Sequence, residues 1–285
     1  MEGRNNLRGY GIAPGVGYHD AMTMDKSPAG TMLRDWRQAR RMSQLDLALD
    51  AGISARHVSY VETGKAKPSR DMIGILADVL ELPLRERNAL LNAAGYAPEY
   101  CETTLESQQM APVRQAVEYI LKHHDPYPAL VTNRHWDLQS VNRSFVRIFS
   151  KFLDAPSRHK NMLHQVFDPA DIRSAIVNWE EMALDLIHHL HNQIASSPTD
   201  ARSRALLDEI LAYPGVPEGW RRRGIGSATQ PLLTCLFRKG DLELRFFSAF
   251  TTFGTPWDVT LEELRIESMF PADEKTAALC RSIID

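Results

Sequence analysis

Residues 43–64, SQLDLALDAGISARHVSYVETG, leave room for little except two short helices joined by a tight glycine turn. Ser43 is an N-cap residue, and Asp46 stands three positions on, in capping-box spacing. Ala48 is small where a second helix must cross closely, and Gly52 supplies the positive φ that stops the first helix. Ser54 caps the second helix. Its Val58 and Val61 recur at i and i+3 and join Leu47 and Ile53 in a small core. The side chains left outward are Ala55, Arg56, His57, Ser59 and Tyr60, which suit contact with base edges and phosphates. The pattern is a helix-turn-helix, and its expected partner is double-stranded DNA.

The flanks extend the unit. Residues 31–41 form a basic helix with Leu33 and Trp36 on one face, and Lys65 and Lys67 lie in a basic loop after Gly64. Ser69 caps a helix over 70–82 whose apolar stripe is Met72, Ile75, Leu76 and Val79. Pro83 fits the first turn of a fifth helix that ends near Ala94 and Gly95. Charge is placed to match. Residues 31–70 hold Arg34, Arg37, Arg40, Arg41, Arg56, Lys65, Lys67 and Arg70 against Asp35, Asp46, Asp50 and Glu62, a net +4 in a chain of net −3. The remainder carries −7, so positive charge is concentrated where phosphate would be met.

Five short helices with this Gln, Ala, Gly-Ile-Ser, Val and Val-Glu-x-Gly order closely resemble the lambda-repressor-like (XRE) DNA-binding domain. The resemblance implies that Gln44 and the start of the recognition helix, Ser54 and Ala55 onward, meet the operator. It also implies a partly buried ion pair between Arg37 and Glu62. Arg56 is the residue expected on a guanine, with His57, Ser59 and Tyr60 beside it and Gln44, Lys65 and Lys67 on phosphates. Leu45 and Leu49 depart from the pattern, because the motif is usually polar there. They are either a patch that docks on the other domain or another subunit, or scattered surface leucines. A single unit reads few base pairs, so a homodimer on half-sites about 34 Å apart is expected.

At 285 residues and 44% hydrophobic, the chain supports two domains. Residues 1–27 read as a loose extension, 28–97 as the DNA-binding unit, 98–111 as a linker and 112–285 as a second domain. No apolar run approaches the roughly 18 residues of a membrane span, and residues 1–27 contain no secretory apolar core. Cys101, Cys235 and Cys280 form no CxxC and suit a reducing cytoplasm. A cytoplasmic chain without a membrane partner is the expectation.

In the second domain, Val113, Val117, Ile120 and Leu121 mark an amphipathic helix. Residues 127–141 read as a β-hairpin turning at Asn133-Arg134 and leading into a helix over 142–149. Residues 172–195 and 200–212 are helical, with Trp179, Met182, Leu186, Leu190 and Ile194 as a stripe. Strand-like runs at 232–238, 242–253 and 259–270 close the chain, and Leu242, Leu244, Phe246, Ser248 and Phe250 share one strand face. The expected product is an α+β domain: a five-stranded antiparallel sheet with helices across one face and room for a cavity between.

That order is similar to a PAS-like sensor domain, and several pieces resemble the MmyB-like transcription regulators. They are Gly95-Tyr96-Ala97-Pro98, Pro128-Ala-Leu-Val with Trp136-Asp and Asn142, Asn161-Met-Leu with Phe167-Asp-Pro, and Trp179-Glu-Glu. The resemblance implies a pocket for a fatty-acid-like apolar ligand and no cofactor. An acyl chain gains about 0.8 kcal/mol per buried CH₂. Trp136, Phe145, Phe149, Trp179, Leu244, Phe246 and Phe250 are the expected lining. Arg143, Arg245 and Arg265 are candidates for a carboxylate head, although the last two could equally pair with Glu262, Glu263 or Glu267. The alternative is a protein-interaction or dimerisation module without a small ligand.

Other chemistries find less support. His188, His189 and His191 read as a solvated helix face rather than a metal site, and His123-His124-Asp125 as a helix C-terminus. Gly224-Ile-Gly226 reads as a turn, and no Ser-His-Asp or Cys-His order stands out. Neither catalytic residues nor a metal are expected.

Overall fold

The structure, a computed structural model, describes residues 27–220 and 232–284. The extension up to residue 26 and the Gly224-Ile-Gly226 turn lie outside the described residues. Five short helices come first: α1 (Pro28–Ala39), α2 (Gln44–Asp50), α3 (Ala55–Glu62), α4 (Arg70–Val79) and α5 (Leu84–Ala93). Side-chain caps start four of them. Ser27, Ser43, Ser54 and Ser69 each accept a backbone N–H from the first turn, and Asp46 returns the bond to complete a capping box on α2. Leu33, Trp36, Leu47, Val58, Val61, Ile73, Leu76 and Leu80 pack into one buried cluster. Helices α1 and α3 touch so closely that a Cβ on Gly30 would lie 2.4 Å from the Val61 carbonyl oxygen. Gly52 takes a φ of +66°, as the turn between α2 and α3 requires.

Two details differ from expectation. Ser27 caps α1, so that helix begins at Pro28 rather than 31. Helix α4 stops at Val79, where the Leu82 N–H closes back on the Ala77 carbonyl at 2.9 Å and Glu81 adopts a φ of 50°. Its buried face is consequently Ile73, Leu76 and Ala77, while Ile75 is 43% exposed.

The rest of the chain runs α6 (Ala111–His123), β1 (Ala129–Thr132), β2 (Leu138–Val141), α7 (Arg143–Phe149), α8 (Met162–Phe167), α9 (Trp179–Ser196) and α10 (Ala201–Leu211). It ends with β3 (Cys235–Lys239), β4 (Leu242–Thr251), α11 (Val259–Glu263), β5 (Arg265–Pro271) and α12 (Glu274–Ile284). The strands make a five-stranded sheet in the order β2-β1-β5-β4-β3, every neighbouring pair antiparallel. Register separates its faces. Leu130 pairs with Glu267 and Ser248 with Met269, so these four side chains look toward α7, α8 and α9. Val131 pairs with Ile266 on the opposite face, where both pack with Val117 and Leu121 of α6. Helices therefore cover both faces of the sheet, not one.

The C-terminal run also divides differently. Asp258 accepts the Thr260 N–H and starts the short helix α11, so β5 begins at Arg265 rather than 259. Helix α12, absent from the sequence reading, buries Cys280 and Ile284 in the larger core. Burial pushes the Cys280 thiol up to about 12, leaving it a packing group.

Candidate nucleic-acid interface and ligand cavity

Helix α3 is anchored from below by one carboxylate. Glu62 is fully buried, and Arg37 of α1 grips it with two hydrogen bonds, Nε at 2.6 Å and Nη2 at 3.0 Å. The Gln44 amide adds a third at 2.8 Å, and Arg34 lies 3.6 Å away. Burial alone would raise the Glu62 pKa; the bonds from Arg37 and Gln44 and the charges of Arg37 and Arg34 overcome it and hold the group below the usual carboxylate range. This network fixes α3 against α1 and α2. It also occupies one Gln44 amide hydrogen.

On the outer surface Arg56 is exposed, and its Nε donates to the Tyr60 hydroxyl at 2.9 Å while the guanidinium lies 5.2 Å from the ring centroid. Lys65 approaches the same ring at 5.8 Å, and Lys67 sits 4.7 Å from the Tyr96 ring. Both lysines are exposed, and His57 and Ser59 are half-buried beside them. Ser54 lends its hydroxyl to the His57 N–H, and Ala55 packs partly against the core rather than outward. Leu45 and Leu49 are 58% and 70% exposed, so no described part of the chain covers them.

Between the sheet and α7, α8 and α9 lies a cavity of about 470 Å³. Of the seven expected lining residues, Phe145 and Phe149 are on its wall. Trp136, Trp179, Leu244 and Phe246 instead fill the core as fully packed side chains, and Phe250 is 45% exposed at the sheet edge, its ring 6.4 Å from Trp136. Long aromatics on a shared stripe are consumed by packing, and smaller groups such as Val141, Met182, Leu186 and Met269 leave the space. None of the three arginines considered for an acidic head reaches it. Arg143 donates to the Ile284 carbonyl at 3.1 Å, Arg245 to Glu243 at 3.1 Å and Arg265 to Gln193 at 2.9 Å. The ionisable group on the sheet side is Glu267, whose Oε2 is buried without a hydrogen-bond partner. Burial raises its pKa, with a Ser248 hydrogen bond opposing, and burial together with the Glu267 charge pushes the neighbouring Cys235 thiol well up.

The two halves of the chain meet through α5. The Leu84 N–H donates to Glu262 at 2.9 Å, and Arg85 chelates Glu263 at 2.7 and 3.0 Å. Arg134, in the β1–β2 turn, is buried among three carboxylates: Asp200 at 2.6 Å, Glu263 at 3.1 Å and Glu86 of α5 at 3.7 Å. Thr199 also donates to Glu86. The hairpin that carries Arg134 lines the cavity through Leu130, Leu138 and Val141, so one element touches both the cavity and the helix-turn-helix half.

Comparison with known proteins agrees with this division. The MmyB-like transcription regulator ligand binding domain matches residues 113–283, and a helix-turn-helix family matches residues 33–87. The chain belongs to the MmyB-like transcription regulators. Over 84 residues it is 36% identical to the uncharacterized HTH-type transcriptional regulator RghRB of Bacillus subtilis (strain 168), covering 29% of this chain and 58% of that protein. Over 118 residues it is 28% identical to the HTH-type transcriptional regulator IdnR of Escherichia coli (strain K12), covering 40% of this chain and 35% of that one. The chain thus spans less than two thirds of either relative. An RNA-binding light-oxygen-voltage receptor overlaps 91% of this chain and 63% of its own at 11% identity, with a TM-score of 0.24, too loose an overlap to bear on fold.

The residues that carry the MmyB-like resemblance are structural pins. The Asn142 side chain accepts from the Ala129 and Phe145 N–H groups and donates to the Tyr127 carbonyl at 2.8 Å and the Leu121 carbonyl at 3.3 Å, joining β1, α6 and α7. Asn161 caps α8 and donates to the His135 carbonyl at 2.7 Å, and the Trp179 indole donates to Val166 at 3.0 Å. In this MmyB-like regulator the helix of histidines presents His189 and His191 to solvent, each edge-on to an aromatic ring, whereas His188 departs from the solvated-face reading with its Nε2 buried. Sequence reasoning named Glu267 only as a possible partner of Arg245 or Arg265 and Arg134 only as a turn residue, and missed what each does. Glu267 had a signal: a carboxylate two residues before Met269, on the strand face that turns toward the core.

Proposed function

We propose that this chain is a sequence-specific DNA-binding regulator whose second domain takes a long apolar ligand, fatty-acid-like in its chain, in the 470 Å³ cavity. The observation that carries the reading is α3 itself. Its inner face is locked on Glu62 and the core, and its outer face offers Arg56 and Tyr60 with Lys65 and Lys67 alongside. Helix N-termini of this kind enter the major groove, where an arginine matches guanine O6 and N7. The Arg56–Tyr60 contact restricts the guanidinium before DNA arrives, which lowers the entropy lost on binding. The protein would act in the cytoplasm, as a homodimer spanning two half-sites, with Leu45 and Leu49 available to a second copy.

A ligand changes operator affinity only by favouring one geometry over another. The β1–β2 hairpin supports such coupling because it walls the cavity and holds α5 through Arg134.

Arg56→Ala is expected to lose about 1–3 kcal/mol on a specific site and to flatten base preference at one position. Lys67→Ala is expected to weaken specific and random DNA alike and to reduce the salt slope by about one ion. Fluorescence anisotropy with both duplexes across a salt series separates the two. Equal loss on both duplexes for Arg56→Ala contradicts base reading by α3.

A further inference from the structure

We propose that the polar end of the cavity's ligand is a basic nitrogen, and that Glu267 is its partner. The inference rests on the proposal that the cavity holds an apolar molecule and names the head group that molecule carries. Glu267 stands mid-strand on β5, opposite Leu130 of β1 and Phe250 of β4, with its side chain on the cavity wall. Its Oε2 is buried without a hydrogen-bond partner, although the Ser248 hydroxyl lies beside the same carboxyl on the cavity wall. A buried oxygen of this kind costs free energy in every empty molecule, so a group that satisfies it gains that amount on entering. Among the described residues no Lys, Arg or His lines the cavity, and its two ionisable carboxyls are Glu267 within and Asp154 at the exposed rim.

Such a wall discriminates by charge. A carboxylate head brought to Glu267 would meet a second acid with no cation between them, and it would shed its hydration for nothing. An alkylamine has a basicity close to that of a lysine side chain, about 10.4, so it arrives as the ammonium at neutral pH, and the Glu267 carboxyl gives up its proton to solvent as the pair forms. The result is an ammonium–carboxylate contact in which the formerly unpartnered oxygen accepts from N–H. The alkyl chain meanwhile lies along Val141, Phe145, Phe149, Met182 and Leu186. Asp154, at the rim, is already paired with Lys239 at 2.7 Å, so Glu267 is the carboxyl left for the head group.

The test is isothermal titration of the full chain at neutral pH with decylamine, decanol and decanoic acid, repeated on Glu267→Gln. Decylamine is expected to bind at least about tenfold more tightly than decanoic acid, and Glu267→Gln is expected to remove about tenfold from decylamine while changing decanol little. Decanoic acid binding as tightly as the amine overturns the assignment in the wild-type protein alone, whether or not the variant folds. An unchanged amine affinity in Glu267→Gln overturns it as well. Binding of decanol without amine preference leaves the apolar cavity standing and removes only the head-group assignment. If none of the three binds either protein, the cavity reading itself falls, and this inference with it.

Discussion

Arg37→Met is expected to lower the unfolding free energy by about 3–5 kcal/mol, because it strands a buried carboxylate. Glu62 is fully enclosed, and Arg37 supplies two of its hydrogen bonds. Gln44 contributes one neutral bond and Arg34 stands 3.6 Å off, so neither restores a bidentate cation. The pH dependence has a definite sign. Glu62 titrates below its ordinary value in the folded chain, so its contribution is complete above the unfolded pKa near 4.5 and is lost as pH falls through the folded one. In the variant, burial without the arginine drives the Glu62 pKa upward. The penalty is thus largest at neutral pH and shrinks in acid. Urea denaturation at several pH values measures it, and Arg37→Met combined with Glu62→Gln is expected to recover part of the loss. A loss under about 1 kcal/mol at neutral pH is what an exposed pair gives, and it would contradict the buried anchor.

Arg134→Met is expected to cost a comparable amount, about 3–5 kcal/mol, and to change the form of the transition as well. The guanidinium is the shared partner of Asp200, Glu263 and Glu86 at one buried point, with Arg85 also on Glu263, and Glu86 belongs to α5. Burial would raise the Asp200 pKa, yet hydrogen bonds from His135 and Ser203 and the Arg134 charge hold it far below the usual carboxylate range. Without Arg134, Asp200 and Glu86 lose their arginine while Glu263 keeps Arg85, and protonation relieves the remaining repulsion, so this loss also diminishes toward acid pH. Because the contact joins the two halves, calorimetry of the variant is expected to show the helix-turn-helix half and the cavity half unfolding as separate transitions. A single sharp transition of unchanged midpoint would show that α5 and the β1–β2 turn are not energetically joined.

The helix-turn-helix half was legible because its signals are local. Ser43, Asp46, Ser54 and Ser69 act within one helical turn of themselves, and Gly52 states its own backbone geometry. The sheet was legible through alternation, and all five strands were placed. What escaped depends on distant partners. Helix α11 is five residues long, too short for a 3.6-residue period to show, and it exists as a platform for Leu84 and Arg85. The cavity wall was only partly legible for a related reason. Periodicity tells which side chains face inward, but Trp136, Trp179, Leu244 and Phe246 are large enough to pack against one another, and the empty space falls beside smaller neighbours. Expected cross-strand pairing for Glu267 failed because Arg265 alternates to the same strand face yet reaches Gln193, and Arg245 pairs with Glu243 on its own strand.

Selection of duplexes from a fully random pool by the intact protein tests the central claim, that α3 presents a base-reading surface. Wild type is predicted to enrich one paired motif with half-sites a helical turn apart, and Arg56→Ala to enrich it with one position degenerate. A pool that emerges unenriched at modest salt, or an identical motif from both proteins, contradicts it.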